Sequence, residues 1–196
     1  MKLFVSPTSP FARIVRILLR EKNIPHEEIM VDPWACSEAL MKANPACKVP
    51  VLVIDDMAIS NSLCIAQYLE SAYPDRTLPR STPAELAQTA LAFELIEAFA
   101  SIIIGRRSLE NFDESFVGLR RRDTLIEGLT RLNLNPPRYH GEGVPGMAPL
   151  VVTVLLDALR FRFGRADWMP DTPWLDELCQ RLNQRPTFGS TIPLQP

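Results

Sequence analysis

The chain has 196 residues, which suits one large domain or two small ones sharing an interface. At 46% hydrophobic, with its charges spread throughout, it does not have the composition of a disordered chain. Its 21 Lys and Arg nearly balance 23 Asp and Glu, so nothing electrostatic argues for nucleic acid or an anionic membrane as its main partner.

Lys2 to Val5 is a short apolar run with β preference, closed by Ser6-Pro7. After the turn Pro7-Thr8-Ser9-Pro10 the pattern becomes helical, with Phe11, Val15, Leu18 and Leu19 at i, i+4, i+7 and i+8. Ser9 stands where an N-cap belongs, and Pro10 takes the first helical position. Asn23 and Pro25 stop this helix. Glu27 to Val31 reads as a second strand, parallel to the first because a helix joins them. A short helix is expected from Ser37 to Ala43. Val49 to Ile54 is β-branched, turns at Asp55-Asp56 and returns through Met57 to Ile59 as a hairpin. Ser62 opens a helix that ends at Pro74.

Pro74 to Pro83 is a linker by composition. Beyond it the periodic segments are helical. Ala84 to about Arg107 carries Leu91, Leu95, Phe99 and Ile102 on one face, and Glu114 to Leu134 is weakened at Gly118 and Gly128. Met147 to Phe163 is apolar on most sides, and Trp174 to Arg185 is ended by Pro186. Strands first and helices afterwards predict an α/β domain of order β-α-β-α-β-β-α over residues 1–75, a linker over 76–83 and an all-α domain over 84–196.

No cationic stretch precedes a long apolar one at the start, and the apolar run Leu150 to Leu156 is too short to cross a bilayer, so neither an export signal nor a membrane span is expected. Cys36, Cys47, Cys64 and Cys179 show no C-x-x-C pair and no metal-ligand spacing, and are expected as reduced thiols of a cytoplasmic protein. His26 and His140 are too few for a histidine-based metal site, and no metal is expected.

Four strings carry a resemblance. S-P-T-S-P-F-A-R-I-V-R at Ser6 to Arg16 resembles the first strand-to-helix turn of the cytosolic glutathione transferases. N-P-A-C-K-V-P-V-L at Asn44 to Leu52 is similar to their N-P-x-G-K-V-P-x-L segment, and I-S-N-S-L-C-I-A-Q-Y-L-E at Ile59 to Glu70 to their [ED]-S-x-A-I-x-x-Y-L segment. P-W-L-D-E-L-C-Q-R-L-N-Q-R-P-T-F at Pro173 to Phe188 resembles their last helix and R-P-S-F ending. Together they span almost the whole chain in the expected order. They imply a thioredoxin-like, glutathione-binding first domain, an all-helical second one, and glutathione as co-substrate.

The physical chemistry of each string suits that task. Glutathione reacts as its thiolate, and a free thiol titrates near about 8.5, so the site must favour the anion. The resemblance makes Ser9 the catalytic hydroxyl, donating to the thiolate at a helix N-terminus, while local sequence alone makes it a plain N-cap. Ser6 and Thr8 are the other hydroxyls of that turn, and Phe11 is a core or pocket-wall residue. Arg13 and Arg16 read as a solvated helix face. In the family the proline corresponding to Pro50 is cis, which turns the backbone of Val49 to pair with the glutathione cysteine, with Lys48 meeting the glycine carboxylate. Ser62, at a helix start, suits the γ-glutamyl carboxylate. Asn61 stands where the family has an acidic residue or Gln, and holds the glutamyl ammonium group less strongly.

Two further departures stand out. Cys47 replaces the usual glycine, which costs strain if φ is positive there; it is either a small apolar filler or a reactive thiol near the site. The buried core helix lacks its usual S/T-x-x-D capping box, having Gly146-Met147-Ala148-Pro149 instead.

The resemblance implies conjugation of glutathione to a small hydrophobic electrophile, held near Phe99, Ile103, Arg106 and Arg107. A catalytically inactive scaffold that binds other proteins is the alternative; reductase chemistry, run in relatives with a cysteine at the Ser9 position, is a third. The long helix Ala84 to Arg107 also carries Ala87, Ala90, Phe93, Ala98 and Ile104 away from its first apolar face, which predicts a two-fold homodimer.

Overall fold

A computed structural model describes residues 1–193 apart from His140, Glu142 and Arg165; the expectation concerning His140 therefore falls outside the described residues. The chain forms two compact units, Met1–Pro79 with Arg185–Pro196, and Arg80–Gln184.

In the first unit, β1 (Lys2–Val5) leads through the Ser9 cap to α1 (Pro10–Glu21) and then to β2 (Glu27–Met30). α2 (Glu38–Ala43), the hairpin β3 (Val51–Ile54) and β4 (Met57–Ser60), and α3 (Ser62–Ala72) follow. The sheet order is β2-β1-β3-β4; β2 runs parallel to β1, while β3 is antiparallel to both β1 and β4. The crossover helix explains the parallel pair and the two-residue turn Asp55-Asp56 the antiparallel β3–β4 pair. Leu3 and Val5 are fully buried and Phe4 nearly so, which places β1 at the centre of the core. α1 covers the sheet with Ile14, Val15, Ile17, Leu18 and Leu19, each fully buried and each contributing about 1.5–3 kcal/mol. α1 also packs against α3.

Arg13 and Arg16 do not form a solvated face; both are buried. Arg16 pairs with Glu28 on β2 at 2.9 Å, and Arg13 donates from Nε to Thr191 Oγ1 at 3.2 Å. For Arg13 the reason lies at the far end of the sequence. Pro186 closes one helix and opens another turn, here α8 (Pro186–Gly189), which packs on α1 with Phe188 fully buried. Arg185 and Thr187 both bond Glu21, and Arg20 donates to Ser190. The last segment therefore clusters with the first unit, where the sequence reading groups it with the helical domain.

The second unit is helical. α4 (Pro83–Ser108) starts with a reciprocal capping box between Thr82 and Glu85 and packs on α5 (Phe116–Leu134) and α6 (Met147–Phe163); α7 (Pro173–Asn183) packs on α6. α4 is long and apolar enough to cross a membrane by length and composition, but its buried Ala92, Leu95, Ile96, Phe99 and Ile102 make it a core helix here. The glycines of α5 serve packing rather than ending the helix: a Cβ at Gly128 would overlap Leu95, and one at Gly118 the Phe112 carbonyl. α6 begins at Gly146 with no side-chain cap, as its sequence implies.

Candidate functional site

Strand register determines what lies together. Phe4 faces Val51 across the β1–β3 ladder, and Val51 faces Ser60 across β3–β4. The turn after β1, the residues before β3 and the residues after β4 therefore share one end of the sheet. Ser6 to Ser9, Lys48 to Pro50 and Asn61-Ser62 are those segments. Val5 pairs with Met30 in the parallel ladder, so the chain after β2 leaves from the same end. α1 and α3 both start there and turn the positive ends of their dipoles to it; among the described residues the N–H of Phe11 at α1, where Pro10 has none, and those of Ser62 and Cys64 at α3 have no partner. Two helix starts side by side suit an anion.

Ser9 is half-buried in extended backbone, φ −81° and ψ 116°. Its Oγ accepts from Ala12 N at 3.2 Å, so it is an N-cap. That does not exhaust the hydroxyl: capping uses one lone pair and leaves the O–H free to donate. Ser6 and Thr8 are half-buried in the same turn, and Ser6 O accepts from Ser9 N at 3.1 Å. Phe11 is half-buried in the first turn of α1, beside the cap.

The Val49-Pro50 peptide is cis. Val49 and Pro50 are buried while the Lys48 side chain is exposed. Among the described residues neither the N–H nor the C=O of Val49 has a hydrogen-bond partner. A buried peptide with both groups unmatched is suited to pairing with an extended ligand. Asn44, to which the sequence reading assigns no role, holds this loop from both sides. Its Nδ2 donates to Lys48 O at 2.9 Å and its Oδ1 accepts from Ala46 N at 3.1 Å. The signal was available in the sequence: Asn favours such side-chain-to-backbone turns.

Asn61 has φ 73° and ψ 124°, a conformation costly for any residue other than glycine. Its side chain accepts from Leu63 N at 2.9 Å, so Asn61 rather than Ser62 caps α3. Ser62 is only 3% exposed, and its hydroxyl makes no hydrogen bond among the described residues. Capping therefore leaves the Ser62 hydroxyl uncommitted at the helix start.

Behind the site, Glu28 gathers Arg16, Arg20 and His26. Burial pushes its carboxyl up, but hydrogen bonding and charge from Arg16, then Arg20, outweigh that and hold it below the ordinary carboxylate value. The cluster ties α1 to β2.

Two expectations about cysteine are corrected. Cys36 and Cys47 form a disulfide with a Cα–Cα distance of 5.4 Å, so they are not reduced thiols, and Cys47 is neither a lone filler nor a free nucleophile. Among the described residues Cys64, exposed, and Cys179, buried and donating to Asp157, take no part in a disulfide. α2 turns the chain back between the paired cysteines, a juxtaposition that their spacing does not announce. Cys47 does have positive φ, 51°.

In the helical unit, Phe99 stacks edge-on against Phe163, which does the same with Trp168. Arg106 lies over the Phe163 ring at 4.9 Å and pairs with Asp113; Arg107 is exposed and Ile103 half-buried. Trp174 is exposed. Among the described residues no three His, Cys, Asp or Glu side chains cluster as metal ligands would.

Residues 3–77 match the family described as the glutathione S-transferase N-terminal domain. An Escherichia coli (strain K12) protein named YibF, an uncharacterized GST-like protein, is 29% identical over 98% of both chains. A probable maleylacetoacetate isomerase of Caenorhabditis elegans is 26% identical, over 91% of this chain and 86% of its own. Among solved structures, a glutathione S-transferase of Methylobacterium radiotolerans in complex with glutathione sulfonate superposes with a TM-score of 0.87 at 27% identity, over 100% of this chain and 95% of its own. One from Methylobacillus flagellatus with glutathione bound gives 0.85 at 26%, over 98% and 99%.

Proposed function

We propose, from the premise that this chain belongs to the glutathione transferase superfamily, that it binds reduced glutathione and conjugates it to small hydrophobic electrophiles. The observation that carries this reading is the convergence of the Ser9 turn, Val49-Pro50 and Asn61-Ser62 on one end of the sheet. Ser9 donates its free O–H to the thiolate, and Val49 pairs through its N–H and C=O with the backbone of the glutathione cysteine. Ser62 and the α3 N-terminus take the γ-glutamyl carboxylate, and Lys48 meets the glycine carboxylate. Phe11 walls the site, and Asn61 faces the glutamyl ammonium group. Glutathione bound in a structural relative supports the ligand.

Each charge has a reason to be there. The thiolate gains from a helix N-terminus and a hydroxyl donor, and lowering a thiol pKa by about two units takes about 2.7 kcal/mol of anion stabilisation. A charge-assisted hydrogen bond contributes about 1.5–3 kcal/mol, so one hydroxyl together with the α1 dipole is enough. Assaying aryl halide conjugation beside disulfide and peroxide reduction tests the reaction. Conjugation alone fits the account, and activity in none of the assays contradicts it in favour of a scaffold. We extend the same reading to a homodimer through α4: of the residues expected on its second apolar face, Ala87, Ala90 and Ile104 are exposed, while Phe93 and Ala98 are buried.

A further inference from the structure

The redox state of the Cys36–Cys47 pair is the feature the proposed conjugation does not use. Cys36 follows β2 and Cys47 precedes Lys48, so both lie in the segment that leaves and re-enters the sheet at the proposed glutathione end. Neither is in the core; both are half-buried, within reach of a small thiol. They bracket α2 eleven residues apart, and each has positive φ, 43° and 51°. L residues enter that region at a cost. Cys47 N also donates to Asn44 O at 2.8 Å, in the loop whose Lys48 carbonyl Asn44 fixes. A dithiol next to a glutathione site is placed to exchange with that ligand's own disulfide.

We propose that Cys36 and Cys47 form a thiol–disulfide couple that exchanges with glutathione disulfide, a reading that rests on the glutathione site proposed above. In the first step the Cys47 thiolate attacks one sulfur of glutathione disulfide. A Cys47–glutathione mixed disulfide forms, the original S–S bond breaks, and one glutathione leaves as thiolate and takes up the proton released by Cys47. The Cys36 thiolate then attacks Cys47 Sγ. The Cys36–Cys47 bond forms, the mixed disulfide breaks, and the second glutathione leaves, protonated at the expense of Cys36. The protein loses two electrons and two protons, and one glutathione disulfide becomes two glutathiones. Excess glutathione drives the reverse.

Trypsin cleaves after Lys22, Lys42 and Lys48, so Cys36 and Cys47 fall on separate peptides, residues 23–42 and 43–48. The full-length Cys64→Ser protein, which keeps both cysteines of the pair, is reduced, freed of reductant and exposed to defined ratios of glutathione disulfide to glutathione. It is then alkylated, digested and weighed. The expected result is loss of two alkylatable thiols, joining of the two peptides, release of two glutathiones per chain, and recovery of both thiols in excess glutathione. Adding Cys36→Ser should stop the reaction at one glutathionyl group on Cys47. Calorimetry with S-methylglutathione, which cannot exchange, runs in parallel. If the peptides stay separate at every ratio while S-methylglutathione binds, the couple is overturned and the glutathione site stands. If the peptides join but S-methylglutathione gives no heat, the couple stands and the glutathione site falls.

Discussion

Asn44 donates from Nδ2 to the carbonyl oxygen of Lys48 at 2.9 Å, and through it one side chain orients the peptide that enters Val49-Pro50. Asn44→Ala removes that bond and the one from Ala46 N, and frees the loop in the ligand-free state. A neutral hydrogen bond is worth about 0.5–1.5 kcal/mol, so the Kd for glutathione should rise about three- to tenfold, with a modest fall in Tm. Asn44→Asp keeps the acceptor and loses the donor, and should weaken binding in the same direction. Titration of both variants checks this; unchanged affinity in both would remove Asn44 from the account.

Ser62 and Asn61 should separate binding from stability. Asn61 caps α3 and Ser62 does not, so Ser62→Ala should lower glutathione affinity while moving Tm little. A lost hydrogen bond to a charged group costs about 1.5–3 kcal/mol, roughly ten- to a hundredfold in Kd. Asn61→Ala loses the cap, worth about 1 kcal/mol, and keeps the positive φ, so its main effect should be a lower Tm.

Ser9→Ala and Ser9→Asp divide the two roles of one hydroxyl. Both lack the donor, but Asp still caps α1. Ser9→Ala should cost about 1 kcal/mol of stability as well as thiolate stabilisation; Ser9→Asp should keep the stability and lose the thiolate. The pH dependence of kcat/KM reads the bound thiol directly, and its acid limb should move to higher pH in both variants. If Ser6→Ala or Thr8→Val moves it instead, the hydroxyl has been assigned to the wrong residue of the turn.

Much of the architecture was legible because local signals agreed with the fold. The Ser9 cap, Pro10 and the 3.6-residue period define α1, and Thr82 with Glu85 marks the start of α4 one residue from where periodicity puts it. The three segments at the sheet end were legible as motifs, because each is contiguous in sequence. What escaped was non-local. Arg13 and Arg16 look solvated on a helical wheel, yet a segment about 175 residues downstream covers one and a neighbouring strand pairs the other. Cys36 and Cys47 meet only because α2 reverses the chain, and the Asn44 bonds depend on loop geometry.

Glu28 makes acid stability a test of how α1 is held to the sheet. Its carboxyl lies below the ordinary 4.5, held there by Arg16 and Arg20 against the effect of burial. A depressed carboxyl contributes stability in full above the unfolded-state value, and that contribution is lost as pH falls through the folded one. Glu28→Gln should therefore be less stable than the native chain by about 2 kcal/mol at neutral pH, and the gap should close as pH falls below 4.5. Denaturant melts at several pH values check it; a gap that persists undiminished in acid would mean the pair is not its source.

Calorimetric titration of the folded full-length chain with reduced glutathione asks whether this end of the sheet binds it. Saturable heat at one site per chain is expected, sharply weakened in Ser62→Ala. Absence of binding at millimolar ligand, with the protein shown to be folded, would contradict it.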